Sequence, residues 1–216
     1  MKIDIFCSNP LHPVIDVMKN LDYIYPPKLH SFNIKSDLED LCGGDFLFLV
    51  SCSMFIPKIV REKYKFSLVL HASDLPEGAG WSPYIWDIIN GANQITVSLI
   101  EASDIIDSGD IWLKKVFYLE GHELLDEIHD KLFKCEFELI IDAIENYSFI
   151  QPKKQGAENK TYFQKRTPKD SEINPDLPIS QQFNLLRTAD SDRFPSFFKF
   201  KGHTYKIIIK KVSSTN

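Results

Sequence analysis

The sequence is short of the features that mark several large classes of protein. Its Lys and Arg, 25 against 30 Asp and Glu, leave a net charge of −5 and are scattered rather than gathered into a stripe. Nucleic-acid affinity rests on neutralising phosphates, so no nucleic-acid partner is expected, and the pairs at 153–154 and 210–211 read as solvated surface. Cysteines are few and far apart: Cys7, Cys42, Cys52 and Cys135 form no CxxC and no Cys/His ligand spacing. They read as reduced residues, three of them in apolar runs, of a cytoplasmic protein, and no metal is expected. No apolar run approaches about 20 residues, and MKIDIFCSN is interrupted too soon for a signal peptide, so neither a membrane span nor a membrane partner is expected. There is no internal repeat and no low-complexity tract.

What is present is one sizeable apolar complement, 44% of 216 residues, enough for a main domain and a small appendage. The first two thirds alternate β-rich runs with helical segments. MKIDIFCS, LHSFNIK, DFLFLVS, FSLVLH, QITVSLIEA and IWLKKVFYL read as strands. VIDVMKNL, SDLEDL with Ser36 as N-cap, PKIVREKY with Pro57 in its first turn, and SPYIWDIING closed by Gly91 read as helices. The longest helix is expected from His122 to Tyr147, where Leu125, Ile128, Leu132, Cys135 and Leu139 share a face. On its other side His129, with Asp126, Asp130 and Glu136, reads as a solvated face. This alternation implies an α/β fold with a largely parallel sheet and right-handed crossovers. The polar stretch 151–160 divides a domain over 1–150 from a C-terminal extension over 151–216. In that extension 161–178 reads as a surface excursion, ISQQFNLLRTAD as a helix, and the aromatic runs around Lys201-Gly202-His203 as a hairpin.

Two stretches carry chemistry. In LHASDLPEGAG, His71 ends an apolar strand, the place where an open parallel sheet presents its ligands, and the proline and glycines that follow allow a sharp turn. By itself His71 is either a functional residue or a buried histidine satisfied by a carbonyl. Asp107, in ASDIIDSGDI, is either a turn aspartate capping its own backbone or the orienting partner of an acid/base pair.

Taken together these stretches resemble a known family. HASDLPEGAG is similar to the H-P-S-L-L-P-x-x-x-G motif of formyltransferases that use N10-formyltetrahydrofolate, and IIDSGDI to their L-D-x-G-D/P-I/V/M loop. Asp107 follows His71 by 36 residues, the spacing kept in that family. VSCSMFIP resembles their A-Y-G-L-I-L-P segment, and TYFQKRTPKD with FPSFFKFKG resembles the tail of methionyl-tRNA and sugar formyltransferases. Within the family the opening CSNPLHPV and HASDLPEGAGWSP look nearest to short sugar-nucleotide N-formyltransferases of pseudaminic-type pathways.

The resemblance implies a Rossmann-like formyltransferase fold with a C-terminal helix and hairpin. It implies transfer of a formyl group from N10-formyltetrahydrofolate to the amine of an amino-deoxy sugar carried on a nucleotide. His71 and Asp107 are then catalytic. Met54, Phe55 and Ile56 would line the pterin slot, with Ala102, Ser103, Asp104 and Ile105 closing its other side. Ser8 and Asn9, between the first strand and a helix, are expected at a phosphate or as a simple cap and turn. Gly78, Gly80 and Trp81 would shape the sugar site, and Arg187 and Arg193 would reach a diphosphate or a partner subunit. One position departs from the family: its N-x-H asparagine is Val69 here. Ser73, a backbone N–H or a water is then needed as donor to the formyl oxygen. Three rivals share parts of the pattern. They are a methionyl-tRNA enzyme, expected to carry a further basic domain, a glycinamide ribonucleotide enzyme, expected to lack the tail, and an inactive folate- or nucleotide-binding homologue. The aromatic hairpin at 194–209 exposes strand edges able to pair with a second copy, so a homodimer is expected.

Overall fold

A computed structural model describes residues 1–25, 29–156 and 158–213. In chain order they form β1 (Lys2–Phe6), α1 (Val14–Met18), α2 (Leu21–Ile24), β2 (Ser31–Lys35), β3 (Gly44–Leu49), α3 (Lys58–Arg61), β4 (Tyr64–His71), β5 (Ala79–Gly80), α4 (Pro83–Ile89), β6 (Gln94–Glu101), β7 (Ile111–Tyr118) and α5 (Leu125–Asn146). After these come β8 (Tyr162–Phe163), α6 (Ile179–Arg187), β9 (Ser196–Phe200) and β10 (His203–Ile207).

The central sheet has the order β2-β1-β3-β4-β6-β7 and is mostly parallel from β2 to β4. Its last two pairings, β4 with β6 and β6 with β7, are antiparallel. The apolar runs of β3 and β4 are continuous because both faces of these strands are covered. On one face Ile3, Ile5, Phe46, Phe48 and Leu68 pack with α1 and with Ile128, Leu132, Leu139 and Ile140 of α5. On the other, Phe6, Leu47 and Leu49 pack with Leu41, Ile56 and Tyr64. Asp4 is buried within β1, and its carboxylate is satisfied by Asn33 Nδ2 at 2.9 Å and Tyr64 Oη at 2.5 Å, as a charge in a core must be.

Several local expectations are corrected. Ser36 caps nothing: Leu38–Asp40 is a single 3₁₀ turn preceded by Asp37. The supposed solvated face of α5 is covered in part: Glu136 is buried, and His129 is half-buried, stacked on Phe133 and bonded to Tyr84. Residues 161–178 do not run freely over the surface, because β8 pairs in parallel with β5. In the C-terminal hairpin Lys201 and Gly202 alone make the turn, both at positive φ, and His203 already belongs to β10. The four cysteines are free, with Cys7 and Cys135 buried, Cys52 intermediate and Cys42 exposed.

Candidate active site

The register of the sheet explains where the site forms. The ends of β1, β3 and β4 lie on one edge, and His71 is the last residue of β4. Residues 102–110, closed at the base by the Glu101 N–H donating to Asp110 O, return toward that edge. Asp107 Oδ1 comes to 3.4 Å from His71 Nδ1, with the two side chains only 9% (His71) and 8% (Asp107) exposed.

Both residues are held from several sides. His71 Nε2–H donates to Gly78 O at 2.9 Å. Asp107 adopts φ +54, a left-handed conformation that Asp tolerates better than most residues, and its Oδ2 accepts from Gly80 N–H at 2.8 Å. Gln155 Nε2 donates to the carbonyls of Asp107 and Gly109. The turn that supplies Gly78 and Gly80 is fastened in its turn: Gly78 N–H donates to Thr161 Oγ1, and β8 pairs beside Gly80. Gly80 has φ +99, and a Cβ there would stand 2.3 Å from Phe163 O, so glycine is required. Gln155 and Thr161 thus belong to the site: no motif marks Gln155, while Thr161 opens the TYFQKRTPKD stretch without being singled out within it.

Ser73 adjoins this arrangement. Its N–H donates to His71 O, while its buried Oγ has no hydrogen-bond partner. That hydroxyl faces Gly78, where a Cβ would meet Ser73 Cβ at 2.9 Å and Oγ at 3.4 Å. Val69, two residues before His71 on the same strand face, packs with the cluster of Leu75, Ala79 and Ile100 and offers no polar atom.

The two loops expected around a pterin carry exposed apolar side chains, Met54 and Phe55 on one and Ile105 and Ile106 on the other, while Ile56 is buried in the core. Ala102 packs beneath them, and Ser103 Oγ donates to Ile105 O, bracing the second loop. Arg61, which no sequence motif marks, links the two. It donates to Ile56 O and Ala102 O and pairs with Asp104.

The residues expected at the acceptor are not all brought together. Asn9 and Arg193 line one cavity of about 820 Å³, with His12, His129 and Asp190 also on its wall. Ser8, Gly78, Gly80 and Trp81 do not line it. Ser8 Oγ instead accepts from Ser53 N–H at 3.0 Å and lies near Ser51 O, fastening the loop after β3. Asn9 Oδ1 accepts from Leu11 N–H, a turn contact. Trp81 lies under the Lys165 ammonium at 4.7 Å. Arg193 is exposed and paired with Asp190 at 2.7 Å, whereas Arg187, also on the cavity wall, is almost wholly buried, bonded to Asn184 and near Glu123, with its Nη2 unpartnered. Burial lowers the His129 ring to about 4 and raises the Glu136 carboxyl to about 8, so both are neutral near pH 7. Among the described residues no group of His, Cys, Asp and Glu is arranged to hold a metal, and no helix is long and apolar enough to cross a membrane.

Known proteins share this arrangement of chain. The methionyl-tRNA formyltransferase of Rickettsia felis is 30% identical over 152 residues, 70% of this chain and 50% of that one, so the chain spans about half the length of such relatives. A 4-N formyltransferase from Francisella tularensis superposes with a TM-score of 0.75 at 18% identity, covering 98% of both chains. HypX from Aquifex aeolicus, solved in complex with tetrahydrofolic acid, superposes with a TM-score of 0.79 at 18% identity over 94% of this chain and 36% of that one. At such identities the likeness concerns the fold. Residues 11–144, however, match the family described as Formyl transferase across more than half of the sequence, and the chain belongs to that family.

Proposed function

We propose that the protein transfers a formyl group from N10-formyltetrahydrofolate to the primary amine of an amino-deoxy sugar carried on a nucleotide. The observation that carries this reading is the buried His71–Asp107 pair at a strand end, each partner fixed by backbone groups of a glycine turn. The exposed apolar side chains of the two neighbouring loops suit the faces of a flat ring system. Met54, Phe55 and Ile105 would hold it. When bound, the donor supplies an activated formyl carbonyl.

The chain's part in the reaction follows from the ring contacts. Nε2–H is committed to Gly78 O, so Nδ1 and Asp107 Oδ1 form the edge able to exchange a proton. Their 3.4 Å separation exceeds a good hydrogen bond, as acid/base pairs often do before substrate arrives. The attacking amine must lose a proton as its C–N bond forms, and the leaving N10 must gain one as its bond to the formyl carbon breaks. With Nε2–H on Gly78 O, the free Nδ1 lone pair of His71 can take the proton from the amine, Asp107 steadying the imidazolium so formed, and Nδ1–H can then return it to N10 as the bond to the formyl carbon breaks. The formyl oxygen needs a donor that Val69 does not provide, and that role is assigned to the unpartnered Ser73 hydroxyl, two residues after His71. Asn9 and Arg193, on the 820 Å³ cavity, are assigned to the nucleotide part of the acceptor.

A second acceptor is favoured by one observation, the 30% identity to methionyl-tRNA formyltransferase. The net charge of −5 without a basic stripe argues for the small acceptor. The test offers N10-formyltetrahydrofolate with a panel of amino-sugar nucleotides to wild type and His71→Asn. Formyl transfer by wild type and its loss in the variant are expected; folate binding without transfer to any acceptor would favour the inactive homologue.

A further inference from the structure

Arg61 ends the short helix α3, yet its side chain is only 10% exposed. Nε donates to Ile56 O at 3.1 Å and Nη1 to Ala102 O at 2.6 Å, while Nη2 pairs with the exposed Asp104 carboxylate. Ile56 and Ala102 belong to the loops after β3 and β6, strands that are not neighbours because β4 lies between them. One guanidinium therefore spans the width of a strand and joins the two loops by side-chain hydrogen bonds, beside the apolar contact of Ile56 and Ala102 in one cluster and the Ala102 N–H bond to Ser67 O. The residue is itself anchored, since Ser67 Oγ on β4 donates to Arg61 O at 2.9 Å. A planar fork of fixed donors meets two carbonyls and a carboxylate at once, which a lysine ammonium on a flexible stem cannot reproduce. Beyond the link, the two loops hold Met54 and Phe55 on one side and Ile105 and Ile106 on the other, all exposed.

We propose that Arg61 is the positioning residue that sets the spacing of this slot for the flat ring of the formyl donor. The inference rests on the reading of the slot as the folate site. Arg61 acts on the donor and not on the catalytic pair, because Asp107 has anchors of its own in Gly80 N–H and Gln155. The loss of Arg61 should therefore separate donor binding from turnover.

The test uses the full chain as Arg61→Gln and Arg61→Lys. It measures KM for donor and acceptor, binding of 5-formyltetrahydrofolate, and hydrogen exchange of 52–57 and 102–106 without ligand. Arg61→Gln is expected to raise donor KM about tenfold, to leave acceptor KM within about twofold and kcat within about threefold, and to speed exchange in both loops. Arg61→Lys should recover part of the donor affinity, and it serves as the variant if the glutamine form does not fold. Unchanged donor KM and unchanged exchange in a variant whose wild type binds 5-formyltetrahydrofolate would overturn the proposal alone. A wild type that binds no 5-formyltetrahydrofolate would remove the folate reading and this proposal with it.

Discussion

Glu136 offers a test of the core that is independent of catalysis. It is 4% exposed on α5, near Cys7, Tyr84 and Cys135, with Oε2 lacking any partner, and burial raises its carboxyl from 4.5 to about 8. The folded chain then holds a proton that the unfolded chain releases above about pH 4.5, so this residue's contribution to stability falls as pH rises toward 8. His129 acts in the opposite sense over a lower window. Its ring is lowered from 6.5 to about 4, so the unfolded chain binds the extra proton between these values and stability is lost as pH falls through them. The two effects oppose each other below pH 6.5, and from 6.5 to 8 only that of Glu136 remains. With one proton released at about 1.4 kcal/mol per pH unit, the loss over that interval is about 1.5 kcal/mol. Glu136→Gln removes the titration while keeping the shape. Urea unfolding followed by tryptophan fluorescence at pH 6.5, 7.25 and 8 should show wild type losing about that amount relative to the variant. Parallel pH profiles for the two proteins would refute the burial argument.

Asp107→Asn should remain folded and lose turnover by about a thousandfold, because an amide cannot stabilise a protonated ring. Steady-state kinetics beside a thermal melt checks it, and near-normal kcat would remove the assigned role. Gly80→Ala should cost about 2 kcal/mol and depress activity, since its Cβ would stand 2.3 Å from Phe163 O at φ +99 and displace the N–H that holds Asp107. Thermal denaturation and kcat of that variant should therefore fall together.

Features carried by local pattern were legible in the sequence, and features made by distant contacts were not. The runs around Phe46–Phe48 and Leu68–Leu70 announce buried strands because both sheet faces are covered. His71 and Asp107 stand out because each sits where a strand meets a turn. Periodicity carries no direction, so the antiparallel setting of β6 and β7 was hidden. The polar side of α5 looked solvated because burial of Glu136 and the bond from Tyr84 to His129 depend on elements about 50 residues away. Arg61 lies in the middle of the expected helix PKIVREKY with nothing local to mark it, and its three partners lie 5, 41 and 43 residues distant. Ser8 showed the converse: a residue placed well for an anion is taken up in bracing the loop at Ser53.

Formyl transfer measured side by side on an amino-sugar nucleotide panel and on methionyl-tRNA, with the same N10-formyltetrahydrofolate, compares the two by kcat/KM. At least one amino-sugar nucleotide is expected to be the better substrate, and transfer to it is expected to disappear with His71→Asn. Efficient transfer to methionyl-tRNA with none to any sugar amine would contradict that expectation.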